Sequence, residues 1–475
     1  MNKLNITTDC QSTDCLKASG FGLLRARESN AKTYARTFDC IIQRGLGTRV
    51  WDSDGKEYLD MLACAGALPL GHNHPAILDE VFAFLRSGQI QQGLDIATPA
   101  KVAFTEELME SLPVDFAQSV RLHFCGPTGS DAVEAAIKLF KTATGRRAVV
   151  AFSGGYHGMT MGALSLMGNL NPKAPVSGLS AETHFFPYPN SKRCPFGVGG
   201  KDGERLALQY IDNALSDPES GITKPALILL EAVQGEGGCI PAPDEWLRGL
   251  REIATRHDVP LVIDEVQTGF GRTGSMFAFT HAGIRPDAII LSKALGGGYP
   301  LALIAYDAKY DKWAPGAHTG TFRGNQIAMV AGAATMRLLR DKNIVGHAQE
   351  MGARLQQGLK ALAREFHCIG DVRGRGLMVG AEIVSTEGKL DGSLAKAVKV
   401  ECFQLGMIIE TGGRHGAVLR FLPSLLIEPA DIDLALRLLG QSITNVRASE
   451  QARCRLQHTE LDSVFLSTHL QKNDI

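Results

Sequence analysis

Three short apolar runs between residues 226 and 293 each end in a polar side chain: ALILLE at Glu231, LVIDE at Asp264 and AIILSK at Lys293. A strand buried on both faces reads as an unbroken series of Val, Ile and Leu, the mark of a parallel sheet covered by helices on each side. Ligands of such sheets lie beyond the carboxyl ends of the strands. An amine and two carboxylates are therefore expected to converge on one crevice. A lysine held there, partly out of water, has its pKa lowered from the usual value of about 10.4 and can act as a Schiff-base amine.

Strand and helix patterns alternate from about 120 to 305, which predicts an α/β lobe with a mostly parallel sheet flanked by helices. VWDSDGKEYLDMLA (50–63) predicts a hairpin turning at Asp54 and Gly55, and GHNHP (71–75) breaks the chain before a helix. A long amphipathic helical region is expected over 326–365, and CIGDVRGRGLMVGAEIV (368–384) resumes strand character around a tight RGRG turn. At 475 residues the chain exceeds the roughly 250–300 that one core usually supports. The expected division is an N-terminal arm (1–35), a first part of a smaller α+β domain (36–75), a large domain (76–325), the remainder of the smaller domain (326–445) and a polar, peripheral tail (446–475).

With 49 Lys and Arg against 50 Asp and Glu, there is no electrostatic case for nucleic acid or an anionic membrane. Ten cysteines are scattered without a C-x-x-C pair or metal-ligand spacing, so reduced thiols and no metal are expected. The start, MNKLNITTDCQSTDC, has no apolar core of signal-peptide length, no run nears the roughly 18 apolar residues of a membrane span, and a cytoplasmic protein is expected.

Four further segments carry chemistry. In HFCGPTGSDAVEAAIKLF (123–140) a strand enters a glycine turn, and a helix is expected from Asp131 with Glu134 in a capping box. Its free N–H groups, with Gly129 and the Ser130 hydroxyl, suit a phosphate, although an ordinary capped helix is the commoner meaning of such a turn. In AFSGGYHGMT (151–160) Tyr156 can lie against a heteroaromatic ring, or can simply be a core residue. In LVIDEVQTGFGRTG (261–274) Asp264, at a buried strand end, needs a cation or strong donor such as a protonated pyridine nitrogen, and Gln267 can donate to a ring oxygen. The alternative is that Asp264 caps the following helix with Glu265 solvated. An acidic strand end also resembles the Walker B element of nucleotide hydrolases, but the chain has no G-x-x-x-x-G-K-[ST]. The fourth is AVLRFLPSLLI (417–427), where Arg420 sits among apolar neighbours.

LVIDEVQTGFGRTG, followed by Pro286, Asp287 and SKALGGGYP, resembles the signature of class III pyridoxal-phosphate-dependent aminotransferases, of pyridoxal phosphate fold type I. TGSDAVEAA, GGYHGMT, EAVQGEGG and HTGTFRGN fall in the family's order, and the likeness runs from about 35 to 440. The resemblance implies that Lys293 forms the Schiff base with pyridoxal 5'-phosphate and moves the proton, while Asp264 pairs with the pyridine nitrogen. It further implies that Gly129 and Ser130 bind the phosphate, Tyr156 covers the ring and Gln267 contacts the phenolic oxygen. Thr321 stands where the family lends a threonine to the neighbouring subunit's phosphate, so a homodimer with shared sites is implied. Glu236 is implied as the partner of Arg420: closed, the pair leaves a pocket for an amino end, and open, it frees Arg420 for a carboxylate.

Finer wording, including FCGPTGSDAVEAAIKL, RCPFGVGG and ETGGRHGAVLRFLPSLLI, is similar to the L-2,4-diaminobutyrate:2-oxoglutarate 4-aminotransferases. That subgroup exchanges the terminal amine of diaminobutyrate with 2-oxoglutarate, giving aspartate 4-semialdehyde and glutamate. Met159 and Ala65 replace an arginine and a tyrosine of ornithine-type relatives, and Arg323 stands where a glycine is usual. Arg323 is thus a candidate for the substrate α-carboxylate, or else a salt bridge at a dimer interface. Ornithine, 4-aminobutyrate or another ω-amine remain alternative donors, and mutases or decarboxylases of the same fold an alternative class.

Overall fold

The computed structural model describes residues 20–470; the first 19 residues of the expected arm and the last five of the expected tail lie outside the described residues. The alternating pattern forms a seven-stranded sheet of β1 (Val120–Phe124), β2 (Val149–Phe152), β3 (Thr183–Phe186), β4 (Leu227–Leu230), β5 (Leu261–Asp264), β6 (Ala288–Leu291) and β7 (Leu303–Asp307). Spatial order is β1-β7-β6-β5-β4-β2-β3. Only β7 runs against its neighbours. The three apolar runs of the sequence are adjacent parallel strands, with Ile263 paired to Leu230 on one side and Ile289 on the other. Every residue of β4, β5 and β6 is buried, as a sheet covered on both faces requires.

Helix Gly129–Thr144 buries Val133, Ala136, Leu139 and Phe140 against the sheet, and helix Asp244–Arg256 buries Trp246, Leu247, Leu250 and Ile253. The predicted hairpin forms between Arg49–Asp52 and Glu57–Asp60, with Gly55 at φ 84° supplying the left-handed turn. It belongs to a four-stranded sheet that Met407–Ile408 completes in parallel, so distant segments close one layer. A second four-stranded sheet contains Ile369–Arg375, Met378–Ile383, Glu410–Gly412 and Val418–Phe421.

Three expectations need correction. The long helical region is two helices, Gln326–Asp341 and Ile344–Glu365, because Asn343 turns left-handed at φ 49° between them. The expected tail is no separate element through residue 470, since helix Pro429–Leu470 runs through it. No glycine or proline follows Gly440 in that stretch, so nothing in the backbone chemistry stops the helix. Finally, Glu265 is not solvated. It is 0 % exposed and accepts from Phe279 N at 2.9 Å and from the Thr268 hydroxyl.

Burial pushes the Glu265 carboxyl up from 4.5 to about 7. Between those values the folded state holds a proton that the unfolded chain releases. This group's contribution therefore favours folding at low pH and is lost as pH rises toward about 7, on the order of 3 kcal/mol. Urea midpoints of Glu265→Gln should depend less on pH between 5 and 8 than those of the unchanged protein. A variant with an equally steep dependence would contradict this account of the carboxyl.

Candidate active site

The carboxyl ends of β4, β5 and β6 deliver Glu231, Asp264 and Lys293 to one crevice. Lys293 opens a short 3-10 turn with φ 50°, a backbone conformation that costs a non-glycine residue of order 1–3 kcal/mol and gathers at functional sites. Burial lowers the pKa of its amine; Glu236, Asp264 and Glu231 oppose that, and Arg420 adds to it. Among the described residues Lys293 Nζ has no ion-pair partner, so its lone pair or proton is open to a ligand.

Asp264 has two local partners. Its Oδ1 accepts from Val266 N at 3.0 Å, and its Oδ2 lies 2.7 Å from His157 Nδ1. Burial works against an imidazolium there, but the hydrogen bond to Asp264 and its charge override it, so the His157 pKa is raised. His157 Nε2 is buried without a partner. The sequence reading named His157 only as part of a loop. The two neighbours part at once, His157 being 3 % exposed against Asp264 while Tyr156 is open to solvent.

Tyr156 is 37 % exposed, which removes its reading as a core residue. Gln267 donates to Ala65 O at 3.2 Å while its Oε1 is buried with no partner, leaving an acceptor and a second N–H for something else. Ala65 itself lies in a run of left-handed residues, Ala63 at φ 45°, Cys64 at 53° and Ala65 at 55°. Backbone strain is thus concentrated on two sides of the crevice.

The glycine turn before helix Gly129–Thr144 is the candidate anion site. The helix starts at Gly129, two residues earlier than expected, because Thr128 is the cap and accepts from Asp131 N at 3.2 Å. Glu134 does not close a capping box. It reaches across to Gly162 N at 2.8 Å, Ala163 N at 3.1 Å and Thr160 Oγ1 at 2.6 Å, capping the short helix Met161–Ser165 instead. The first-turn N–H groups of Gly129 and Ser130 have no intrahelical acceptor. A Cβ at Gly129 would stand 3.0 Å from Val266 Cγ1, so Val266 packs closely over the start of the helix.

Arg420 is 1 % exposed, and its Nη1 donates to Glu236 Oε1 at 2.6 Å. Burial opposes the guanidinium charge, and the Glu236 carboxylate overrides that, so the Arg420 pKa is raised. Arg420 Nε has no partner, which makes this a single-point and breakable tie. Tyr34, which sequence reasoning left in the arm, feels the charges of both Glu236 and Arg420, and burial with Glu236 pushes its hydroxyl up to about 12. No local pattern around Tyr34 signals this, because its place is set by tertiary contacts.

Arg323 is not among this group. It donates to Asp95 Oδ2 at 2.6 Å and to His318 O at 3.3 Å within the same chain. Thr321 opens the short 3-10 turn Thr321–Gly324, next to Gly320, where a Cβ would lie 3.6 Å from Gly126 Cα.

Lys293 and Asp264 meeting at neighbouring strand ends is the arrangement the motifs implied, and the chain belongs to the class-III aminotransferases, whose family model matches residues 30–443. It is an aminotransferase of the fold that the sequence motifs implied. The chain is 50% identical over 415 residues to the diaminobutyrate--2-oxoglutarate aminotransferase of Rhizobium meliloti (strain 1021), covering 86% of this chain and 88% of that protein. It is 46% identical over 426 residues to the protein of the same name from Haemophilus influenzae, covering 88% and 93%. Among solved structures, a PLP-bound amine transaminase from an uncultivated Pseudomonas species superposes with a TM-score of 0.79 at 27% identity, covering 88% of this chain and 98% of that one. No helix among the described residues is long and apolar enough to cross a membrane.

Proposed function

We propose that this aminotransferase moves the terminal amine of L-2,4-diaminobutyrate to 2-oxoglutarate, giving aspartate 4-semialdehyde and glutamate, with pyridoxal 5'-phosphate held by Lys293. The observation that carries the reading is Lys293 Nζ, an unpaired amine of lowered pKa at a strand-end crevice shared with Asp264. The relatives' shared name supplies the substrate pair.

The residues fit the cofactor. Gly129 and Ser130 offer N–H groups to a phosphate, Asp264 offers a carboxylate to a ring N–H, and Gln267 and Tyr156 offer an amide and a ring face. When bound, pyridoxal phosphate supplies an electron sink for the carbon that loses its proton. Lys293 Nζ takes that proton and returns one, its lowered pKa favouring the neutral amine that a base must offer. Asp264, held by His157 and Val266 N, keeps negative charge where a ring nitrogen's proton is to be retained. Glu236 closes over Arg420 for the amino end of the donor and releases it for a carboxylate of the acceptor. The reading includes a homodimer in which Thr321 serves the partner's phosphate, and a large domain over 76–325 with a smaller one from 36–75 and 326–445.

Asp264→Asn should preserve the fold and lower turnover by about a hundred- to a thousand-fold, the range for removing one preorganised electrostatic partner. Near-normal steady-state rates in that variant would remove Asp264 from the mechanism. Substrate choice is tested by mixing the cofactor-loaded protein separately with diaminobutyrate, ornithine and 4-aminobutyrate. The visible band of the lysine-bound cofactor should disappear fastest with diaminobutyrate; if another amine wins, the donor assignment fails and the class assignment stands.

A further inference from the structure

Of the three polar strand ends Glu231, Asp264 and Lys293, Glu231 is the one to which transamination assigns no task. It lies at the end of β4, 6 % exposed, and no lysine or arginine is paired with it among the described residues. Its two oxygens face two different loops. Oε1 accepts from Tyr156 N at 2.9 Å, and Oε2 accepts from Gly235 N at 2.9 Å. The first loop carries Tyr156 and His157, the second carries Glu236. Glu231 is itself anchored, because the Tyr188 hydroxyl donates to its carbonyl oxygen at 2.9 Å.

Both partners are N–H donors, so the position needs two acceptors separated by the width of a carboxylate. An amide would turn an NH2 group toward one of them, and a shorter acid would not span both. Burial pushes the carboxyl up to about 7, against the pull of the His157 charge and of the two N–H groups. A buried acid with that cost is retained where its geometry is needed. A neighbouring tie runs in the same sense, from Gln234 Nε2 to Ser153 O at 3.0 Å, but it lies upstream of both Tyr156 and Glu236.

We propose that Glu231 is a positioning residue whose two carboxylate oxygens yoke the Tyr156 loop to the Glu236 loop, so that the ring-covering aromatic and the partner of Arg420 are set as one unit. The functional side of this rests on the roles given above to Tyr156 and Glu236. The physical side does not, because it concerns two named N–H groups.

The test is amide hydrogen exchange on the cofactor-loaded protein at pH 8, where the carboxylate form prevails, comparing the unchanged chain with Glu231→Gln and Glu231→Asp. Exchange should rise about ten-fold or more in both 153–158 and 233–238, as expected for losing one or two buried hydrogen bonds, while β5 and β6 stay protected. The efficiency of both half-reactions should fall together, by about ten-fold. Loosening of only one segment, of neither, or of the whole sheet would overturn the yoke, as would full activity with both segments loosened. If both segments loosen but the unchanged protein proves unable to transaminate diaminobutyrate, the yoke stands and the proposed substrate falls.

Discussion

Lys293→Ala is expected to abolish turnover, by at least about ten-thousand-fold, while the far-ultraviolet circular dichroism stays that of the parent. Two contributions are lost together. The amine is the attachment point for the cofactor, and it is also the base, a role worth about a hundred- to ten-thousand-fold by itself. No neighbour can substitute, because the other groups at the strand ends are the carboxyls of Glu231 and Asp264, each already bound to backbone or imidazole. The backbone makes a second, separable expectation. Lys293 sits at φ 50°, so Lys293→Gly should be more stable than Lys293→Ala by about 1 kcal/mol, although both are inactive. Equal unfolding midpoints for the two would mean that the left-handed geometry is not present in solution. Retained turnover in either would end the assignment of Lys293.

The Glu236 and Arg420 pair should behave as a unit for stability and as two residues for function. Arg420 is almost wholly buried and its only ion-pair partner among the described residues is Glu236, whose own side chain keeps 32% of its exposure. Glu236→Ala leaves a buried guanidinium uncompensated and should cost about 3–5 kcal/mol. Replacing both at once, Glu236→Leu with Arg420→Met, should recover most of that loss, since a buried ion pair seldom outperforms a well-packed apolar pair. Function separates the two proposals for the pair. In the double variant the KM for 2-oxoglutarate should rise by about ten- to a hundred-fold through loss of a charge-assisted contact, while the donor half-reaction with diaminobutyrate changes little. Equal damage to both half-reactions would mean that Arg420 is structural.

The central sheet was legible because its signal is local: runs of three to five apolar residues, each closed by polar side chains, have one economical arrangement. The hairpin at Gly55 was legible for a similar reason, since its left-handed turn favours glycine. What escaped was set by contacts distant in sequence. Glu265 looks like a solvated neighbour of Asp264, but its carboxylate is claimed by Phe279 N. Glu134 fits a capping box by spacing, yet it caps a different helix, more than twenty residues on. His157 and Tyr34 became visible only once the loop and the arm were folded over the strand ends. Motif resemblance supplied the Arg420 and Glu236 pairing, and the 2.6 Å contact gives it a physical basis that apolar flanks alone did not.

The most direct test follows the nitrogen itself. The purified, cofactor-loaded protein is given 2-oxoglutarate and diaminobutyrate labelled with heavy nitrogen at the terminal amine only, or at the α-amine only, and the glutamate formed is analysed by mass spectrometry. Label should pass to glutamate from the terminal amine, with aspartate 4-semialdehyde as co-product and no transfer in Lys293→Ala. Label arriving from the α-amine, or transfer that persists without Lys293, would contradict the account.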